Sequence, residues 1–261
     1  MTDYNASLIR PDREALEVAD REIAIEVPVS IEFNGIGYAV MMATPSDLED
    51  FLIGFAISEK LVERADQIGA IDVHEHDKGW IIRANLDADK AAMVFERART
   101  RVAESSCGLC GLENLELVAQ PLPQVRDHRS IDKAHIFKAL ETLQGHQPMN
   151  QKTGGVHAAG WVDANGDIRC VREDVGRHNA LDKLIGALKR EGQSLSAGFI
   201  LTTCRCSYEI VEKSVIAGAT TLVTISVPTN FAIERAKSCG LTLVSLARED
   251  SMLQFNGYSL G

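Results

Sequence analysis

Two cysteines in the stretch E-S-S-C-G-L-C-G at 104–111 have the residue type and the spacing of a reactive site. Cys107 and Cys110 stand three residues apart, and each is followed by a glycine. This spacing occurs in half of a zinc centre, in a disulfide, in a redox-active dithiol, and in a thiol that carries a sulfur atom as a persulfide. The rest of the sequence decides how well each chemistry fits.

A zinc site fits the sequence poorly. A structural site needs about four ligands, usually from two such pairs, and the remaining cysteines form no second C-x-x-C. They are Cys170, Cys204, Cys206 and Cys239. A zinc deaminase also uses a C-x-x-C, but it needs His-x-Glu or Cys-x-Glu for its third ligand and its proton shuttle. No His or Cys is followed two residues later by Glu, so we expect no bound zinc.

A redox dithiol and a sulfur carrier both remain open. A thioredoxin-type pair normally lies where a strand turns into a helix, whose N-terminus lowers the thiol pKa, whereas this pair lies in a glycine-rich connection. A sulfur carrier needs a thiol that reaches a donor and then an acceptor, and Gly108 and Gly111 give the backbone freedom for that movement. A second thiol three residues away can relay the sulfur or release it. Local chemistry alone does not rank the carrier first.

Composition indicates a globular protein of a reducing compartment. The chain has 261 residues, 45% of them apolar, enough for one large domain or two modest ones. Its net charge of −10 argues against a nucleic-acid-binding protein. The N-terminus lacks a signal-peptide pattern, and no apolar run approaches the roughly 20 residues of a membrane helix. We therefore expect a cytoplasmic protein with no membrane association, whose cysteines are mostly thiols rather than disulfides.

Before the cysteine pair, 11–103 reads as a small α+β domain. Period-two alternation and a hairpin signal at Asn34-Gly35 predict strands, and helical spacing of apolar residues predicts helices. The strands are expected at 23–33, 36–43, 68–75 and 80–86, and the helices at 45–62, capped by Thr44, and at 87–101. We read 104–128 as a mobile loop and linker that carries the C-x-x-C pair, with a helical turn at 112–119.

After the linker, 129–261 alternates strands with helices, which predicts an α/β layered sheet with parallel pairs. Ser130 is the expected N-cap of a first helix, 131–144. A strand pair then surrounds the turn 163–167. Further strands are expected at 198–203, 221–226 and 241–247, and helices at 179–191, 207–217 and 229–238.

Four more segments stand out in this second half. They are T-G-G-V-H at 153–157, E-D-V-G-R-H-N-A-L-D-K at 173–183, R-C-S-Y-E at 205–209 and S-V-P-T at 226–229. Together with E-S-S-C-G-L-C-G, and in the expected order, they resemble the signature segments of the formate dehydrogenase accessory sulfurtransferases of the FdhD type. The eleven-residue run is the most specific, because folding alone is not expected to dictate so long a polar string.

The resemblance implies that a cysteine desulfurase loads sulfur onto the loop, with Cys107 as the persulfide carrier and Cys110 as its assistant. The sulfur then passes to a bound client, Mo-bis(molybdopterin guanine dinucleotide), before this cofactor enters formate dehydrogenase. A zinc-free, cytidine-deaminase-like layered α/β fold and a homodimer are also implied. The alternative is a scaffold that docks the cofactor onto formate dehydrogenase and uses its thiols to hold metal.

The resemblance also places a guanine-dinucleotide contact near the C-terminus, in the stretch L-A-R-E-D-S. These residues are Leu246, Ala247, Arg248, Glu249, Asp250 and Ser251. Arg248 and Asp250 keep the expected residue types, whereas Leu246 replaces an aromatic residue and Phe255 stands where tyrosine is common. Stacking on the base is therefore expected to be weaker, or to come from another side chain.

Four other residues are expected at the cofactor. Asn179 is the expected N-cap of a helix whose first N–H groups attract anions, and Arg177 adds a guanidinium that matches phosphate in a bidentate way. Arg205 and Ser207 follow a strand and precede a helix, where α/β sheets bind ligands. Gly155 lets the backbone approach a ligand closely.

Three further residues are interpreted as packing residues. Cys204 and Cys206 depart from the family pattern, and buried cysteine behaves as a small apolar side chain. A second sulfur-holding or metal position is the alternative for this pair. His157, on a predicted strand, is interpreted as a core histidine.

Overall fold

The described part of the chain folds into helices and into strands that form three sheets. The computed structural model describes residues 1–9, 11, 17–107, 120–126 and 130–261. The strands in these ranges are β1 (Thr2–Leu8), β2 (Glu17–Ile23), β3 (Val27–Phe33), β4 (Ile36–Ala43), β5 (Asp72–His76), β6 (Gly79–Ala84), β7 (His157–Asp163), β8 (Ile168–Asp174), β9 (Gly198–Thr202), β10 (Thr221–Thr224), β11 (Thr242–Ser245) and β12 (Leu253–Asn256). The helices are α1 (Leu48–Ser58), α2 (Ala88–Cys107), α3 (Lys133–Leu143), α4 (Pro148–Thr153), α5 (Arg177–Arg190), α6 (Tyr208–Ile216) and α7 (Asn230–Cys239). The architecture is mixed α/β, as the sequence predicts, whereas cytidine-deaminase-like layering stays a prediction.

A six-stranded sheet forms the centre of the second half. Its strand order is β12-β11-β10-β9-β7-β8. The neighbours β9, β10 and β11 run parallel, and the other neighbouring pairs run antiparallel. The parallel pairs confirm the prediction drawn from the strand–helix alternation. β12 is not predicted, because its alternation of apolar and polar residues, L-Q-F-N, extends over only four residues.

Helices cover both faces of this sheet. On one face Ile200, Leu222 and Leu243 join a core with α5, α6 and α7. On the other face the next residue along each of the same strands joins a smaller core with α3. The alternation follows from the period of two along a strand. Because helices cover both faces, the ends of the strands are the part of the sheet that remains accessible.

The first half contributes a four-stranded sheet, β4-β3-β6-β5, and the helix α1. α1 crosses α5 so closely that only glycine fits at the contact. A Cβ built on Gly54 would lie 1.7 Å from the carbonyl oxygen of Asp182, and one built on Gly186 would lie 1.8 Å from that of Asp50. The larger hydrophobic core is consequently continuous between the two halves of the chain.

Several helix ends differ from the prediction. α1 begins at Leu48 rather than at 45, because Asp47 precedes it with a left-handed φ of 52°. Thr44 does not cap this helix, since its Oγ1 accepts the N–H of Val175 at 3.2 Å. α3 is capped by Asp132 rather than by Ser130.

The segment predicted as a mobile loop, 104–128, is described at 104–107 and at 120–126. α2 continues through Cys107, six residues beyond the predicted helix end. Residues 120–126 pack against the end of α7, where Leu122 is buried and the N–H of Val125 donates to the carbonyl of Cys239 at 2.9 Å. The loop prediction is therefore wrong at 104–107, whereas 120–126 contains neither helix nor strand. The helical turn predicted at 112–119 lies outside the described residues.

None of the described helices is suited to a bilayer. The longest of them, α2, has 20 residues and carries charged side chains along its length. Across the described ranges, no helix combines the length and the apolar character that crossing a membrane requires.

Candidate functional site

The segments singled out in the sequence meet at one edge of the six-stranded sheet. Because β9, β10 and β11 are parallel, their carboxyl ends lie at the same edge. The open end of the β7–β8 hairpin, where His157 pairs with Asp174, lies there as well. This edge is bordered by 153–157, 173–183, 205–209, 226–229 and 246–251. Parallel α/β sheets bind ligands at edges of this kind.

Hydrogen bonds tie the loops of this edge to one another. The N–H of Thr203 donates to the carbonyl of Ala158 at 3.1 Å, and Thr203 Oγ1 accepts the N–H of Ala158 at 3.0 Å. Farther along, the N–H of Leu246 donates to the carbonyl of Ser226 at 3.1 Å. The loops therefore form one connected surface.

A cleft of ≈ 540 Å³ opens at the ends of β10 and β11. Its lining residues are Leu140, Ile225, Ala247, Arg248, Glu249 and Asp250. Leu246 beside it has a left-handed φ of 53°, which is uncommon for a residue other than glycine. Ser251 closes the loop by accepting the N–H of Arg248 at 2.7 Å. The apolar wall of Leu140 and Ile225 was not predicted, because no local motif marks these two separate positions.

Three arginines at this edge have no partner among the described residues. Arg177 begins α5, Arg205 follows β9 and Arg248 follows β11. None of their side chains forms a hydrogen bond or ion pair with another residue that the structure describes. Most other arginines with described side chains pair with a carboxylate. In a chain of net charge −10, free guanidinium groups gathered at one edge indicate an anionic ligand.

His157 lies close to two of these arginines. It is half-buried, and its ring makes no hydrogen bond to the described part of the chain. Its pKa is lowered, chiefly by burial and then by the positive charges of Arg177 and Arg205. The ring is therefore not the satisfied core histidine that we expected. The sequence signal that could have identified His157 as a site residue is its position at the start of a predicted strand, directly after Gly-Gly-Val.

Much of the run 173–183 serves the fold. Asp174 is fully buried and accepts hydrogen bonds from the N–H of Thr44 at 3.0 Å, the N–H of Gly176 at 2.7 Å and Nζ of Lys183 at 2.6 Å. Asn179 is not the N-cap of α5, since Gly176 holds that position. The Asn179 amide is buried and donates to Asp174 Oδ1 at 3.0 Å.

The remaining acids of this run also hold elements together. Glu173 accepts the N–H groups of Met149 and Asn150 at the start of α4, at 2.9 and 2.8 Å. Asp182 pairs with Lys213 of α6 at 2.6 Å. The expectation that folding does not dictate this polar string is therefore wrong for most of its members.

Ser207 is engaged within the protein. It precedes α6 as its N-cap residue, but its side chain does not cap the helix. Its Oγ donates to Glu209 Oε2 at 3.3 Å, and the same oxygen lies 3.1 Å from His178 Nε2. The close approach of the His178 ring is the largest cause that lowers the pKa of Glu209. The first N–H groups of α5 and α6 are thus left without a side-chain cap at this edge.

Gly155 has open space around its Cα. An added Cβ would meet only the carbonyl oxygen of Thr153, at 3.9 Å. The adjacent Gly154 is the conformationally required glycine, since it ends α4 with a φ of 64°. The prediction that a ligand approaches Gly155 is compatible with this space but is not tested by it.

The extra thiols beside Arg205 are buried. Cys204 is 2% exposed and Cys206 is 0% exposed. Burial raises the pKa of Cys204, and it raises the pKa of Cys206 to about 12. A thiol kept neutral in this way is a poor nucleophile and a poor metal ligand, so the structure supports the packing interpretation.

Only one cysteine of the C-x-x-C pair lies among the described residues. Cys107 is the last residue of α2, and Cys110 lies outside the described residues. Among the side chains that the structure describes, no group of three His, Cys, Asp or Glu residues is arranged to hold a metal ion. The described thiols, in Cys170, Cys204, Cys206 and Cys239, form no disulfide.

Comparison with known proteins gives consistent matches along most of the chain. The model of the FdhD/NarQ family matches residues 24–259. Sulfur carrier protein FdhD of Xanthomonas oryzae pv. oryzae is 44% identical over 234 residues, which cover 90% of this chain and 83% of the relative. Sulfur carrier protein FdhD of Cupriavidus necator is 42% identical over 236 residues, which cover 90% and 82%.

A solved structure shows the same arrangement. It is the crystal structure of a putative formate dehydrogenase accessory protein from Desulfotalea psychrophila, with a TM-score of 0.76 and 25% sequence identity. The likeness covers 98% of this chain and 96% of the other. The family match includes the C-x-x-C pair and every segment that borders the sheet edge. The chain belongs to the FdhD/NarQ family.

Proposed function

We propose that this protein is a sulfur carrier that accepts persulfide sulfur from a cysteine desulfurase and transfers it to Mo-bis(molybdopterin guanine dinucleotide), the cofactor required for formate dehydrogenase activity. The observation that carries the proposal is a sheet edge with free arginines and a cleft, in a family whose relatives are named sulfur carrier proteins. The family resemblance adds a cytoplasmic homodimer to the proposal.

The carrier chemistry assigns one step to each cysteine. The thiolate of Cys107 attacks the outer sulfur of the donor persulfide, so that a new S–S bond forms while the donor's S–S bond breaks and its cysteine leaves as a thiolate. The thiolate of Cys110 then attacks the inner sulfur, which releases the outer sulfur as hydrosulfide and leaves a Cys107–Cys110 disulfide. The two thiols supply the two electrons, and a cellular thiol reductant restores them.

The burial of the other thiols supports this assignment. Burial raises the pKa of each of the other four cysteines. They are Cys170, Cys204, Cys206 and Cys239. Sulfur transfer needs a thiolate, so these positions are disfavoured and the C-x-x-C pair is favoured.

The edge offers two subsites for an extended anionic cofactor. The cleft of Arg248 and Asp250 suits the guanine end, because a carboxylate accepts N–H groups from the base and a guanidinium pairs with phosphate. Arg205 follows a strand two positions from the strand before Arg248, and Arg177 follows a strand four positions from it. At the usual strand spacing these separations are about 10 Å or more. They suit further phosphate groups of the same ligand.

The first prediction concerns the guanine end. Replacing Arg248 with glutamine is expected to weaken GDP binding by about 10- to 100-fold, because a hydrogen bond to a charged group contributes about 1.5–3 kcal/mol. Isothermal titration calorimetry measures the change. Arg126→Gln is the matched control, since this arginine is also without a partner in the described structure but lies in the segment that packs on the far end of α7. Equal GDP affinity of the Arg248 variant and the unmodified protein would exclude the subsite.

Intact mass distinguishes the carrier from a scaffold that holds metal. After incubation with a cysteine desulfurase and cysteine, the carrier is expected to gain the mass of one sulfur atom, and a reductant should remove it. Stoichiometric zinc in the purified protein, together with no such gain, would instead support the scaffold.

A further inference from the structure

We propose that His157 is a proton-coupled anion-binding group: its imidazole binds an oxyanion together with Arg177 and Arg205, and it takes up a proton as the anion binds. The inference extends the proposed function, in which the oxyanion is a phosphate of the cofactor. It assigns a role to a residue that ends the T-G-G-V-H segment but that the expected cofactor contacts do not include.

The position of His157 is the first reason. It begins β7 at the binding edge and pairs in register with Asp174 of β8. The uncapped first turns of α5 and α6 follow the two neighbouring strand ends of this edge. Free backbone N–H groups, two guanidinium groups and one imidazole thus lie at the same edge of the sheet. Such a set of donors has the composition of an oxyanion site.

The engagement of nearby acids is the second reason. Both oxygens of Asp174 already accept hydrogen bonds, Oδ1 from Gly176 and Asn179, and Oδ2 from Thr44 and Lys183. Glu209 is engaged by His178 and Ser207. Glu209 interacts electrostatically with Arg177 but forms no ion pair with it, and neither carboxylate pairs with Arg205 in the described structure, so both guanidinium groups can still bind an anion.

The electrostatics set the direction of the proton coupling. The charged groups around His157 are Arg177, Arg205 and His178, which lower its pKa, and Asp174, which raises it. Burial lowers the pKa further and is the largest cause. A bound oxyanion offsets the repulsion and accepts a hydrogen bond from the imidazolium, so the pKa of His157 must rise in the complex. By linkage, anion affinity then increases as the pH falls through the interval between the free and the bound pKa.

Inorganic sulfate is the appropriate probe. It stays a dianion across the working range, whereas phosphate takes up protons itself and would lose charge as the pH falls. We expect sulfate to bind about 10-fold more tightly at about pH 5.5 than at about pH 8, the factor that one unit of pKa shift provides. Proton NMR of the His157 ring should show its titration move to higher pH when sulfate is added.

Matched variants separate His157 from the other groups. His157→Gln is expected to bind sulfate with a flat pH profile, whereas His74→Gln, at an exposed position of β5, should keep the profile of the unmodified protein. Arg177→Gln should weaken sulfate binding at both pH values. The NMR titration of the unmodified protein needs no variant, so it decides the question even if His157→Gln folds poorly.

Two outcomes would overturn the inference. One is a His157 titration that sulfate does not move, and the other is a folded His157→Gln protein that keeps the full pH dependence. Either result leaves the sulfur adduct and GDP binding at Arg248 unaffected, so it is distinguishable from a failure of the proposed function. Conversely, a missing sulfur adduct with a normal sulfate profile would refute sulfur carriage and retain the anion site.

Discussion

Cys107→Ala is expected to abolish sulfur transfer while the fold stays intact. Without this thiolate the first S–S bond cannot form, so labelling from a desulfurase and radiolabelled cysteine should fall at least about 100-fold, the scale at which a lost nucleophile acts. The packing of α2 depends on Val94 and Ala98, which are 0% and 6% exposed and lie well before its last residue. The thermal unfolding midpoint should therefore be unchanged.

The other cysteines provide the controls for this result. Cys110→Ala should still accept sulfur, but it should release sulfide more slowly because the disulfide-forming step is lost. Cys170→Ala is the matched control, since this free, half-buried thiol lies outside the proposed chemistry and its loss should leave labelling unchanged. Full labelling of a folded Cys107→Ala protein would contradict the carrier role.

The fold class was predictable because the relevant signal is local. Apolar alternation along β9, β10 and β11, with helical spacing between them, is enough to indicate a layered sheet with parallel pairs. Helix ends were less predictable, because capping residues can be diverted to tertiary bonds. Thr44 has the right type and place for an N-cap, yet it bonds to Val175, 131 residues away. A sequence window does not contain that competitor.

The absence of distant contacts from a sequence window also explains which site residues could be predicted. Arg205 and Arg248 could be predicted, because motif resemblance and the position after a strand both point to the binding edge. The hydrogen bond between Asp174 and the N–H of Thr44 could not, since Thr44 lies 130 residues away in the chain. His157 was misread because its burial depends on neighbours from β8 and β9. Some polar residues of the run 173–183, such as Asp174 and Glu173, proved to hold elements of the fold together.

Lys183→Met is expected to cause the largest loss of stability. Lys183 and Asp174 form an ion pair of 2.6 Å in which both side chains are 0% exposed. Burial lowers the pKa of Lys183, and the charge of Asp174 opposes that effect. Removing the cation leaves a buried carboxylate without its counter-charge, which costs about 3–5 kcal/mol when one partner of such a pair is lost. Urea unfolding measures the change in the free energy of unfolding.

A double variant tests whether the unpaired charge is the cause. Asp174→Asn combined with Lys183→Met removes both charges, so it should be more stable than the sum of the single losses predicts. Lys237→Met, at an exposed position of α7, is the control and should change stability by less than about 0.5 kcal/mol. A Lys183→Met protein as stable as this control would show that the pair does not support the fold.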